Sequence, residues 1–387
     1  MIGICIKYFH ANYGGMLQAY ATEALLENEG YEYELIRYRK KRTFMEKIRS
    51  IPRLLNAILL HDKYEALIKK LGEIRYPVFA KNNARRMDSF EKFQKKHFTK
   101  LSPEYVGYKE LCEGAKKYSA VITGSDQLWS PAGLPTNFYN LMFVPDGINK
   151  VSFASSFGVK RIPWYQVRRT REFLNRIEYV SMREDRGAEI VKELTGKTAP
   201  VLMDPVFYFS KAEWEDLIPE EKLEFNDYIF CYFLGDNPEH RKVAGQLAAG
   251  TGKKIMTLRH LDRYVAADEG FGDYAPYDVD PARFLNILRN ASYVCTDSFH
   301  GSAFSVIYEK QFIVFDRYSR NSHHSKNSRI ESLCRNLGLE ARRWTGREDI
   351  ISAMQKEIDY SAVNEKVAAY KRNMQKYLAQ ALCGDEH

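Results

Sequence analysis

An α/β architecture of parallel sheets, split into two Rossmann-like halves, follows from three features of the sequence. Short apolar runs alternate with helical patterns almost throughout, as repeated strand–helix–strand units require. The length of 387 residues corresponds to about two domains at roughly 100–200 residues each. The stretch 205–226 interrupts the alternation and marks the boundary between the halves.

The expected strands, in chain order, are 2–8, 120–123, 151–154, 179–181, 201–203, 228–233, 254–258, 293–296 and 312–315. Expected helices are 16–29, 165–177, 185–195, 239–251, 281–290 and 302–309, the first of them ended by Gly30 as a C-cap glycine would do. The chain divides into an N-terminal half at 1–205, a second half at 206–345 and terminal helices at 346–387. It contains no low-complexity tract and no short-period repeat.

Charge is concentrated in one place. Residues 37–100 hold 19 Lys and Arg against 6 Asp and Glu, so the chain's net +8 conceals a segment of +13 and a remainder of −5. Ile48, Ile51, Leu54, Leu55, Ile58 and Leu59 fall near helical spacing, and the segment reads as one or two amphipathic helices inserted in a fold. Its first reading is a solvated basic helix packed on the domain; its second is a surface for anionic lipid, as a peripheral membrane contact, or for an acidic polymer. Nucleic acid is disfavoured, because no helix-turn-helix, zinc or aromatic RNA-binding signature accompanies the charge.

No stretch approaches the ~18 apolar residues of a spanning helix, and the first ten residues turn polar too soon for a signal peptide, so a cytoplasmic protein is expected. The six cysteines are scattered and form no CxxC pair, which fits neither a disulfide framework nor a zinc site.

In open parallel sheets ligands bind beyond the carboxyl ends of the strands, and the residues there are small and polar. Asn12, Gly14 and Gly15 follow the first strand and open the first helix, where free backbone N–H groups could face an anion. There is no GxGxxG fingerprint and no GxxxxGK[ST] loop. Ser125, Asp126 and Gln127 follow the 120–123 strand and could contact a sugar or phosphate, or simply cap the next segment; Ser156 follows 151–154.

The most specific candidate is Thr296-Asp297-Ser298-Phe299-His300-Gly301-Ser302, which puts an imidazole, hydroxyls and glycine-freed backbone at one helix start. An imidazole, with a reference pKa near ~6.5, exchanges protons near neutrality. Arg183 is expected to face a carboxylate or phosphate as a bidentate fork, and Arg186 to be structural. Arg317, Arg320, His323, His324, Lys326 and Arg329 form a basic loop for which anion binding is favoured over metal, since no carboxylate stands at ligand spacing.

These blocks resemble the polysaccharide pyruvyl transferase family: NYGGMLQAYA, TGSDQLW, SFASSFG, SMRED, MDPVF, YFLGD and TDSFHGSAFSVIYEKQFIVF, in family order over about four-fifths of the chain. Gln311 stands where the family usually has proline, and 37–100 has no matching motif. The resemblance implies a GT-B-like fold of two facing Rossmann-like domains, with the last helices crossing back onto the first. It implies a transferase of exopolysaccharide or capsule biosynthesis that moves pyruvate from phosphoenolpyruvate (PEP) to a sugar as a ketal, with no cofactor and no metal.

Ketal formation needs a proton delivered to the methylene carbon, attack by two hydroxyls and departure of phosphate, hence an acid/base. The expected roles follow from that chemistry. Arg183 holds the carboxylate or phosphate, His300 protonates or stabilises the departing phosphate, and Ser298, Gly301 and Ser302 cradle it. Asn12, Gly14, Gly15, Ser125, Asp126 and Gln127 line the opposing wall, with Asp126 a candidate base; Ser156 and Arg329 complete the substrate set. A lipid-linked saccharide at the inner face of the membrane would give membrane attraction a purpose. The competing readings are a GT-B glycosyltransferase using a nucleotide sugar and a noncatalytic anion- or glycan-binding protein.

Overall fold

In a computed structural model, which describes residues 1–41, 71–131, 136–260, 263–318 and 327–383, the chain folds around two all-parallel sheets. The first sheet has six strands: β1 (Ile2–Cys5), β2 (Tyr33–Arg39), β3 (Leu101–Val106), β4 (Ala120–Thr123), β5 (Asn149–Ser155) and β6 (Tyr179–Met182), in the order β3-β2-β1-β4-β5-β6. The second has four: β7 (Tyr228–Tyr232), β8 (Lys254–Thr257), β9 (Tyr293–Thr296) and β10 (Gln311–Val314), in the order β10-β9-β7-β8. Register is tight at the centre, with Ile4 against Ile122 and Cys231 against Cys295. β1 and β4 are fully buried, as a strand covered on both faces must be, which is why they read as continuous apolar runs.

Three expectations change. Residues 201–203 form no strand but a single bridge, Val201 to Met182. β2 and β3 are added, and the basic segment 37–100 does not begin outside the sheet: Arg37–Arg39 lie in β2, and the described residues 71–100 belong to the crossover that leads to its parallel neighbour β3. The described part of that crossover includes a helix at Pro77–His97, whose Phe79, Phe90 and Phe93 are buried beneath a charged outer face. The apolar positions at 48–59 lie outside the described residues, as do Arg320, His323, His324 and Lys326.

Helix α1 (Tyr13–Asn28) buries thirteen of its sixteen residues and is apolar nearly all round. It is the wedge between the halves: the Tyr13 ring stacks on Phe284 at 4.8 Å and 9°, and its hydroxyl donates to the Val279 carbonyl at 3.1 Å. One apolar cluster therefore runs from β1 through α1 to β7, β9 and α2 (Pro281–Asn290), without a break between the sheets. The chain passes from the first half to the second through a one-turn 3-10 helix (Pro205–Tyr208) and a short helix (Lys211–Leu217). It returns after a helix at Ile350–Gln355, which packs on the second half beside β10. The last helix, Tyr360–Cys383, lies back against β5, where the Tyr377 hydroxyl donates to the Ser152 carbonyl at 2.8 Å.

Candidate active site

Each sheet reverses its direction of strand addition once, between β1 and β4 in the first and between β7 and β9 in the second. Crevices beyond the carboxyl ends of such strands are the natural ligand positions of open parallel sheets. The loop after β1 meets the loop after β9 there. A Cβ on Gly14 would sit 2.2 Å from the His300 ring, so only glycine lets the imidazole lie against the first turn of α1. After β4, Gly124 has φ +133°, and a Cβ there would lie 1.9 Å from the Phe153 carbonyl oxygen; the glycine brings Ser125 and Asp126 over the end of β5.

The buried centre of this constellation is Asp204. Its Oδ2 accepts from Arg183 Nη1 at 2.6 Å and lies 3.0 Å from Ser125 Oγ, while its Oδ1 caps the Pro205–Tyr208 turn through the Val206 N–H at 3.2 Å. His300 Nε2 stands 3.5 Å from the same Oδ2, too far for a strong hydrogen bond. Arg183 Nη2 is 3.7 Å from Asp126 Oδ1. The Arg183 and Arg329 guanidiniums lie 4.7 Å and 5.8 Å from the centroid of the Phe299 ring.

These charges shape one another. Burial raises the proton affinity of Asp204, but the facing His300 and Arg183 outweigh it and hold the carboxyl well below the usual range. Burial acts likewise on Asp126, where Arg183 leads Lys7, His300 and Arg329 in pulling the pKa down to about 2. For Glu184 burial wins: its pKa is raised despite Arg183 and Arg329 and despite the Ser156 hydroxyl at 2.9 Å. Arg329 is brought down to about 10 by burial and then by the like charge of Arg183, and so remains a cation at neutral pH.

Five buried nitrogen atoms here have no hydrogen-bond partner among the described residues: Arg183 Nε and Nη2, Arg329 Nε, His300 Nε2 and Gln127 Nε2. Each unpaired buried donor costs about 1–3 kcal/mol, and native proteins rarely tolerate them without cause. Three of the five lie on the Arg183 and Arg329 guanidiniums, donors of the kind that bind carboxylate or phosphate.

Several expected contacts are spent locally instead. Asn12 Oδ1 accepts the Gly15 N–H at 2.8 Å as the cap of α1, so neither group is free to hold a ligand anion. Ser298 Oγ accepts the Gly301 N–H at 3.2 Å, and Ser302 Oγ donates to the Ser298 carbonyl at 3.0 Å; the expected phosphate cradle is the capped first turn of a helix at Phe299–Ile307. Ser125 is wholly buried beneath Asp204, and Ser156 serves Glu184 and the Gly158 N–H. His300, Arg183, Asp126, Gln127 and Arg329 do converge. Arg186 pairs with Glu189 and Glu193 at 2.7 Å each, away from the constellation. Arg317 donates to the Asp297 carbonyl at 3.0 Å. No cluster of three metal-ligating side chains occurs among the described residues.

Sequence reasoning passed over Asp204, Glu184 and Phe299 as site members. Asp204 carries the Asp-Pro signature of a helix cap, which hid its second duty. A cavity of ≈ 10 Å³ is lined by Arg183, Asp204, Phe299 and Arg329, and a separate one of ≈ 320 Å³, which shares no lining residue with it, by Tyr76, Phe79, Tyr264 and Tyr277 with Arg259 and Asp268.

The family model described as "Polysaccharide pyruvyl transferase" matches residues 12–319. No curated protein matches the sequence. Among solved structures the chain is similar to UDP-N-acetylglucosamine 2-epimerase from Rickettsia bellii, with TM-score 0.50 and 9% identity over 99% of this chain and 96% of that one. It is also similar to the S. aureus MnaA–UDP co-structure, with TM-score 0.51 and 11% identity over 99% and 96%. At such identities the likeness shows the fold, a GT-B-like pairing of two Rossmann-like domains.

Proposed function

The chain belongs to the polysaccharide pyruvyl transferase family, and from that premise we propose that it transfers pyruvate from PEP to two hydroxyls of a saccharide, forming a ketal and releasing phosphate. The observation that carries the reading is the set of unpaired donors on Arg183, Arg329, His300 and Gln127. PEP offers a carboxylate and a phosphate on one small carbon frame, acceptors that suit the guanidinium donors of Arg183 and Arg329.

In the reaction, the methylene carbon of PEP gains a proton and becomes the methyl group. The first sugar hydroxyl bonds to the neighbouring carbon, the bond from that carbon to the phosphate oxygen breaks, and the second hydroxyl closes the ketal. Of the two hydroxyl protons, one balances the new C–H bond and the other leaves with phosphate. His300, set between Gly14 and Asp204, is the acid/base for this traffic. Arg183 and Arg329 bind the anion and stabilise charge on the departing phosphate. Asp126, ionised down to about pH 2, is a weak base and orients an acceptor hydroxyl rather than removing its proton. Asp204 is a positioning residue that fixes Arg183 and faces His300.

A second reading, a transferase using a nucleotide sugar, is favoured by the UDP in the S. aureus co-structure on the same fold. Incubation with radiolabelled PEP and, separately, with UDP-sugars over a panel of saccharides separates the two. Release of labelled phosphate only when a saccharide is present supports ketal transfer; turnover of the nucleotide sugar with inertness toward PEP overturns it.

A further inference from the structure

From the loop after β5 into the first turns of the helix that follows it, the sequence VKRIPWYQVRRTR (159–171) carries five cations and no acid. Trp164 is 86% exposed and Tyr165 46%, on a 3-10 turn that opens a helix at Val167–Arg176. That helix buries Thr170, Phe173 and Leu174 and leaves Arg168, Arg169 and Arg171 on its exposed side. Lys160 and Arg161 are exposed on the approach to the turn. None of Lys160, Arg161, Arg168 and Arg169 has an acidic partner within ion-pair distance among the described residues. The nearby Glu189 and Glu193 are taken by Arg186, Arg171 is tied to the Leu194 carbonyl at 2.8 Å, and Glu172 is the acid on the same exposed side.

A tryptophan beside a tyrosine within a field of arginines matches the boundary of an anionic bilayer, where rings settle at headgroup depth and cations meet phosphate. Among the described residues no helix is long and apolar enough to cross a membrane, so contact would be peripheral. Topology sets the position. A crossover helix between parallel strands starts at the carboxyl edge of the sheet, the edge on which His300 and Arg183 converge, and the Gln166 amide ties this turn to the Pro131 carbonyl in the loop after β4.

We infer that the Trp164–Tyr165 turn with Lys160, Arg161, Arg168 and Arg169 docks the protein on an anionic lipid surface, with the mouth of the cleft toward the headgroups. A lipid-linked saccharide would then meet the cleft on that surface. The docking goes beyond the proposed reaction and does not depend on PEP being the donor, since vesicle binding is read without any substrate.

The full chain is sedimented with phosphatidylcholine vesicles, with and without phosphatidylglycerol, while tryptophan emission is followed. Trp129 and Trp214 are buried and Trp344 is half-buried, so a blue shift reports Trp164. The expected result is binding to the anionic vesicles alone, its reversal by salt, a blue shift, and quenching by brominated lipid in the unaltered protein. Trp164→Ser and the double change Arg168→Glu/Arg169→Glu should each weaken binding by about tenfold or more, with wild-type circular dichroism and an unchanged melting temperature. Equal indifference to both vesicles overturns the proposal, as does wild-type affinity in both variants. So does binding to poly(U) that competes with vesicles when no emission shift accompanies them, which would make the patch a polyanion surface instead.

Discussion

Asp204 joins three residues that lie far apart in the chain, and its removal should be felt twice. Breaking a buried ion pair from one side leaves an uncompensated charge, so Asp204→Asn should lose about 3–5 kcal/mol of stability, read by urea denaturation, and should lower turnover further under conditions where the variant is still folded. Gly14→Ala should push the imidazole out of register, since the new carbon would meet the His300 ring at 2.2 Å. At least a tenfold drop in phosphate release, with PEP affinity nearly kept, is expected in steady-state kinetics. Glu23 tests a different balance. Burial first, and then the charge of Glu27, raise its carboxyl from near 4.5 to about 8. Below pH 4.5 both folded and unfolded chains hold the proton; between there and about 8 only the folded chain does, so stability falls as pH rises. Glu23→Gln should therefore stabilise the protein by about 1–3 kcal/mol at neutral pH and by nothing near pH 4, as melting curves at the two pH values would show. His300 was legible because an imidazole beside glycine and hydroxyls at a strand end is a local pattern. Asp204 was not, because its meaning lies in partners that only the tertiary fold brings to it.

Elements were legible where their burial was simple. β1, β4 and β9 are covered on both faces and read as apolar runs, whereas β2 ends in the alternating charges of Arg37 and Arg39 and β3 contains Pro103. Proline is tolerated there because β3 is an edge strand, a fact of topology that no local pattern announces. The same gap left the helix at Pro77–His97 without the two strands it runs between. The terminal helix offers the test at this scale. Its Tyr377 hydroxyl is a buried donor to β5, and Tyr377→Phe should cost about 1 kcal/mol. Deleting 360–383 removes the buried Met374, Tyr377, Leu378 and Ala381, uncovers the apolar surface they pack on, Phe153 of β5 included, and should leave a chain that aggregates on expression.

Across the whole molecule the halves share one apolar cluster, stitched by Tyr13 to Val279 and by Arg86 Nη1 to the Arg259 carbonyl at 2.6 Å. Differential scanning calorimetry should accordingly show a single cooperative transition rather than two, with calorimetric and van't Hoff enthalpies in agreement. The chain also runs between the halves twice, outward near residue 205 and homeward between Gln355 and Tyr360. A plate riveted at one point swivels in any direction, while a plate riveted at two swings only about the line through both. Whatever gape admits a reactant therefore has one preferred axis, and an engineered cross-link set well off that line would jam it, while one set upon it would go unnoticed.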